Sequence, residues 1–169
     1  MTVDVAANLA IEHEIRTVLF RYCRSMDRID AELGYSVWHD DGTADYGALF
    51  KGTGRGFVDW VCEFHRGLDA TSHQLSNILV NPVSADEAYS ETYVTVALLG
   101  ATDNENTLTT GRGRYLDRWT RRDGRLALAH RDYIHDFAIT QKIDEPMMGW
   151  GTRSTADPSY SLLGAIGAV

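Results

Sequence analysis

"TLTTGRGRYLDRWTRRDGRLALAHRDYIHDFAI", residues 107–139, decides the fold. Runs rich in strand-forming residues flank Asp123-Gly124, and an Asp-Gly pair in that setting is a strong signal for a two-residue hairpin turn. Just before it, "LSNILVNPVSADEAYSETYVTVALLGA" (75–101) reads as two further strands joined at "SADE". The second half of the chain is therefore expected to be a meander of long strands that begins near residue 75.

The first half has a different period. Ile11, Ile15, Val18, Leu19, Tyr22, Cys23 and Met26 recur at the three-and-four spacing of one helical face, which predicts a helix over 8–30. Asp27 falls at the border of that apolar arc, where a carboxylate can enter a partly apolar cavity without disturbing the packing. "DAELGYSVWHDDG" (30–42) reads as a short second helix ending near Gly42. "TADYGALFKG" reads as a strand and turn, and "RGFVDWVCEFHRGL" (55–68) as a third helix that buries Phe57, Val58, Val61, Cys62 and Leu68. Three helices followed by long strands imply an α+β domain with helices on one face of a curved sheet. It spans 1–141. From Lys142 to Val169 a Gly-, Ser- and Pro-containing tail is expected to be loose, or to form an arm over a pocket or a neighbouring subunit.

Composition narrows the function classes. A chain of 169 residues with 44% hydrophobic and 24% charged residues is long enough for one real core. A net charge of −8 argues against nucleic acid, which needs a positive surface. One basic cluster, "DRWTRRDGR" (117–125), offers a local anion site, set against the plainer reading of solvated hairpin arginines. No run of about 18 apolar residues exists, so no membrane span is expected. The N-terminus lacks the basic start and apolar stretch of a signal peptide, so the expected location is cytoplasmic. Cys23 and Cys62 are too few for a disulfide framework and are expected to pack as small hydrophobes.

Glycine-rich nucleotide loops, a Walker loop and a G-x-S-x-G elbow are missing. So is H-E-x-x-H, and His130 and His135, five apart on one strand, face opposite sides and cannot share a metal. Neither a metal nor a cofactor is expected. Among the other histidines, His65 reads as structural and His39 as an exposed helix-end residue. His73 sits where the chain enters a strand, and by strand alternation shares a face with Leu75, Asn77 and Leu79. Alone, a histidine at such a position is structural more often than catalytic.

"RYCRSMDRIDAELGYSVWHDDGTADYG" (21–47), "TSHQLSNILV" (71–80) and "GRYLDRWTRRDGRLALAHRDYIHDF" (113–137) together resemble the SnoaL-like domains of the nuclear transport factor 2-like superfamily. The resemblance covers about residues 8 to 140 in order and spacing. It implies a cone: a curved mixed or antiparallel sheet wrapped around three N-terminal helices, with a pocket at the wide end. Its dehydratase and dehydrochlorinase members are cofactor-free lyases built on an Asp–His pair, which the resemblance places at Asp27 and His73. It also matches a pocket tyrosine to Tyr46 and an arginine of the last strand to Arg131, the latter at the mercy of a one-residue slip.

The residue types suit that chemistry. An imidazole accepts a proton near neutral pH, and a carboxylate on its other nitrogen fixes the tautomer and stabilises the cation. Tyr46, Tyr22 and Arg131 are candidate hydrogen-bond donors to a developing negative charge. Tyr22, Trp38, Phe57, Trp60 and Tyr133 are candidates to line a pocket for a hydrophobic cyclic or aromatic substrate, although core packing is expected to claim at least half of them. Asn77 joins the substrate-binding set through its expected face. The expectation is a dehydratase-like lyase. An isomerase or polyketide-cyclase-like enzyme is the first alternative, and a non-catalytic binding or assembly subunit, like the β subunits of ring-hydroxylating dioxygenases, the second. A homo-oligomer, trimer or dimer, is expected from the fold resemblance and the apolar face of "TYVTVALL".

Overall fold

The computed structural model describes residues 5–102 and 105–164. Helix α1 (Val5–Arg28) buries the predicted stripe from Ile11 to Met26. Ile15, Leu19 and Met26 are fully enclosed, and each such side chain contributes about 1.5–3 kcal/mol of burial. The helix stops at Ile29, whose φ of 52° breaks the helical path. The next amide, Asp30 N–H, then bonds back to the Ser25 carbonyl at 2.9 Å, a closure usually made by glycine. A β-branched residue in that backbone region is strained. The strain lies two residues after Asp27.

Helix α2 (Ala31–Ser36) is capped by Asp30, and strand β1 (Trp38–Asp45) begins two residues later. The second helix is thus shorter than expected, and "WHDD" belongs to a strand. The reason is non-local: β1 pairs in parallel with the last long strand, Trp38 opposite Leu128. His39 is accordingly buried, with Nε2 2.8 Å from the Thr120 carbonyl oxygen, and is not an exposed helix end. Strand β2 (Lys51–Thr53) turns back on β1. Helix α3 (Gly54–Arg66) follows, capped by Thr53. A Cβ on Gly54 would lie 2.2 Å from the Trp38 ring, so the indole can pack there only against glycine.

Strands β3 (Ala70–Pro82), β4 (Glu87–Thr102), β5 (Glu105–Arg122) and β6 (Arg125–Lys142) form the meander. The predicted turn at Asp123-Gly124 has φ of 52° and 80° between paired Arg122 and Arg125, the doubly positive φ of a tight hairpin. The sheet order is β2-β1-β6-β5-β4-β3, all antiparallel except β1–β6. This is one curved, unclosed mixed sheet with the helices in its concavity.

Three bulges bend the long strands, because an extra residue sharpens the local twist. They fall between Ser76 and Leu79 on β3, and on β6 at Ala129 and Asp136. The first corrects the expectation for Asn77. With φ of 47° it is the bulge residue and is exposed, and the alternation reverses beyond it. Ile78 and Val80 pack on the core, while Leu79 is 71% exposed. Asn77 and Leu79 do not share the inward face of His73.

A final short helix, α4 (Pro158–Leu163), lies in the tail. No described helix is long and apolar enough to cross a membrane.

Candidate active site

His73 lies four residues inside β3 rather than at its entrance. β3 is an edge strand, so backbone groups on its free side look for partners outside the sheet. Asp27 of α1 supplies one. Its Oδ2 accepts from the His73 backbone N–H at 3.0 Å, and its Oδ1 lies 2.7 Å from the ring Nδ1. One carboxylate thus clamps both the main chain and the ring of a single residue. With Nδ1–H donating to Asp27, the lone pair rests on Nε2, which no described residue hydrogen-bonds. The two side chains are 6% and 17% exposed, so the pair is shielded but not sealed.

The sheet register shows what surrounds that nitrogen. Across the strands from His73 stand Val96, Gly111 and Ala138, and the next row carries Leu75, Val94, Gly113 and His135. The first row is short of bulky side chains. Gly113 in the second is needed for room: a Cβ there would sit 2.5 Å from the Tyr133 ring. The row across from His73 is therefore apolar, and half-buried Tyr133 and Trp60 stand near the core edge.

His65 of α3 enters the same neighbourhood, with its ring 5.7 Å from that of His73. Its Nδ1 is 3.2 Å from the Met26 carbonyl oxygen. Burial, aided by repulsion from His73, lowers its pKa to about 4, so it is neutral at physiological pH. Sequence reasoning filed His65 as structural. Its phase with Val58, Val61 and Cys62 on the buried face of α3 was visible, but its contact with His73 was not. Arg153, from the tail, was missed altogether. It donates to the His65 and Leu68 carbonyls, and nothing in its glycine- and serine-rich surroundings signals this.

The other expected residues form a second, deeper group. The Tyr22 and Tyr46 hydroxyls are 2.9 Å apart, and burial pushes both phenols well above their usual range. The Arg131 guanidinium stacks 4.4 Å from the Tyr22 ring centre and 3.9 Å from that of Tyr115. It makes a bidentate pair with Asp117 at 2.6 and 2.7 Å, both side chains fully buried. Burial works against the Arg131 charge, but the Asp117 carboxylate outweighs it and holds the pKa well above the ordinary arginine value. Nη1 of Arg131 has no hydrogen-bond acceptor among the described residues. No described hydrogen bond joins this group to the Asp27–His73 pair.

Trp38 takes the packing role, not a place beside His73. It is 1% exposed in the core and borders a cavity of about 830 Å³ between the middle of α1, α2 and the β5–β6 turn, on whose walls neither Asp27 nor His73 stands. Phe57 is core as well. The arginines of 117–125 are engaged inside the chain: Arg118 with Glu87, Arg121 with Glu14, Arg122 with Asp41, and Arg125 with the Ser36 and Trp38 carbonyls. Cys23 and Cys62 are buried free thiols, and burial pushes Cys23 up to about 12.

The model of the SnoaL-like domain matches residues 7–132. The chain belongs to that family, within the nuclear transport factor 2-like superfamily. Among solved structures, a protein designated a scytalone dehydratase from Novosphingobium aromaticivorans is 21% identical, with a TM-score of 0.70 over 85% of this chain and 95% of that one. A hexachlorocyclohexane dehydrochlorinase from Novosphingobium barchaimii is 17% identical, with a TM-score of 0.72 over 83% and 99%. The β subunit of a protein designated an aromatic-ring-hydroxylating dioxygenase, also from N. aromaticivorans, is 18% identical, with a TM-score of 0.63 over 77% and 92%. At these identities the likeness is one of fold. A search of curated proteins finds no match.

Proposed function

We propose that this SnoaL-like protein is a small lyase that removes water from a hydrophobic cyclic metabolite without a cofactor. The observation that carries the reading is the Asp27 clamp, which leaves His73 Nε2 free beside the apolar row of Val96, Gly111 and Ala138. Nε2 takes a proton from a carbon next to a carbonyl, and the electron pair of that C–H bond moves into an enolate. The enolate collapses to a carbon–carbon double bond as the neighbouring C–O bond breaks. The imidazolium returns its proton to the departing hydroxyl, which leaves as water, and Asp27 stabilises the cation between the two transfers. Tyr22, Tyr46 and Arg131 shape and polarise the floor behind the substrate. The names of two structural neighbours, a dehydratase and a dehydrochlorinase, both describe eliminations.

The same first step serves an isomerase or cyclase, so the product decides. Cyclic hydroxy-ketones incubated with the protein are expected to lose the mass of one water. A product of unchanged mass would move the reading to isomerisation or cyclisation. The third neighbour, a dioxygenase β subunit, favours an assembly role as the other reading. Co-purification with an iron–sulfur subunit would support it. We also place the protein in a cytoplasmic homo-oligomer, trimer or dimer, because the outer sheet face exposes Tyr89, Tyr93, Phe137 and Ile139 and such a face buries readily against a copy. Light scattering at the monomer mass would overturn the oligomer.

A further inference from the structure

The tail between Thr152 and Tyr160 is held by polar contacts. Asp157 organises it: the carboxylate accepts from the Ser159 hydroxyl and from the backbone N–H groups of Ser159 and Thr152 at 3.0 and 2.9 Å, bonds that lower its pKa to about 2. On one side this turn is fixed to α1. Arg28 donates to the Thr152 carbonyl at 3.3 Å, and Arg24 donates to Ser159 Oγ at 3.1 Å while stacking on the Tyr160 ring. The Tyr160 hydroxyl donates to Asp30 at 2.7 Å.

On the other side Arg153 reaches across, to the carbonyls of His65 (2.8 Å) and Leu68 at the end of α3. A helix C-terminus attracts cations, and a planar guanidinium spans two carbonyls where an ammonium cannot. The anchors at Arg24 and Arg28 of α1 and at Asp30, the α2 cap, bracket Asp27, and the α3 anchor is the residue whose ring faces His73. The segment therefore crosses the gap in which the pair meets.

We propose that Arg153 is a positioning residue of the Asp27–His73 pair, latching the tail across the ends of α1 and α3. The inference rests on the catalytic reading of that pair and extends its site to the tail. The charged and titratable groups around the pair and the latch are Cys23 and Arg28 from α1, His65 from α3, Asp69 just before β3, and Arg153 itself. Arg153 and Asp27 attract one another, while Arg153 opposes a proton on His65.

The test is a ¹⁵N imidazole titration of full-length wild type, Arg153→Met, Arg153→Lys and Asp27→Asn, with amide deuterium exchange on each. Arg153→Met is expected to speed exchange at Thr152, Asp157, Ser159 and Tyr160 and to move the His73 midpoint away from its wild-type position. Arg153→Lys is expected to follow Arg153→Met in tail exchange, since an ammonium cannot span the two carbonyls. An unchanged midpoint or unchanged tail exchange in Arg153→Met overturns the proposal, and so does a lysine variant with wild-type tail exchange. Asp27→Asn separates the two levels. If it leaves the His73 midpoint in place, the pair itself fails. If it lowers the midpoint while Arg153→Met does nothing, only the role of Arg153 fails.

Discussion

Two carboxylate–base pairs of nearly equal length sit at different depths in this molecule. Asp27 and His73 meet at 2.7 Å between a helix and an edge strand, while Asp117 and Arg131 meet at 2.6 and 2.7 Å between central strands. Distance does not separate them; access and proton affinity do. The inner pair is fully buried, and its base holds its proton at any pH the fold survives. The outer pair keeps some exposure and a base with one nitrogen uncommitted. Charge fixed in a core specifies structure. A proton that comes and goes at a shielded surface permits chemistry.

Exchanging damage between the pairs should sharpen that contrast. His73→Ala is expected to lower kcat on a dehydrated substrate by about 10²–10⁴-fold with little change in the denaturant midpoint. Asp117→Asn should do the reverse in kind, costing about 3–5 kcal/mol because Arg131 is left buried and uncompensated. Urea unfolding of both variants, with activity at matched folded fractions, measures this. The contrast breaks if His73→Ala unfolds the protein or Asp117→Asn leaves its stability alone.

His65 tests the border between the two regions by pH. Its folded pKa of about 4 lies below the ordinary value of 6.5, and burial is the main cause. The stability linked to it is fully present above pH 6.5. As pH falls, the unfolded chain takes up the proton while the folded one does not, so that stability drains away between pH 6.5 and 4. The displacement is worth about 3 kcal/mol. The gap in unfolding free energy between wild type and His65→Gln should shrink by that amount over the window, and a pH-independent gap would show that His65 is solvated. The smallest effect is expected at Asn77. Asn77→Gly suits the positive φ, so it should change activity less than twofold and stability by under about 1 kcal/mol. A large kinetic effect would return Asn77 to the site.

The apolar stripe of α1 and the Asp123-Gly124 turn were legible because helix period and turn chemistry are local. Asp27 and His73 were legible as a pair through resemblance to a family, and their meeting at 2.7 Å follows that order of elements. Other features needed the fold. "WHDD" became strand rather than helix because β6 offered it a parallel partner far along the chain.

Arg131 shows most clearly what alternation cannot supply. Counting from inward Leu128, strict alternation turns His130 inward and Arg131 out to solvent. The bulge at Ala129 adds one residue, aligns Arg131 with Asp117 and sends its guanidinium into the core. Asn77 is the same physics on β3, with its inward neighbours displaced by one. The sequence by itself determined α1, α3 and the Asp123-Gly124 hairpin, because these rest on periods of two and 3.6 and on turn residues. Only the tertiary structure decided which faces the site residues occupy, because a single extra residue in a strand costs little locally and inverts everything beyond it.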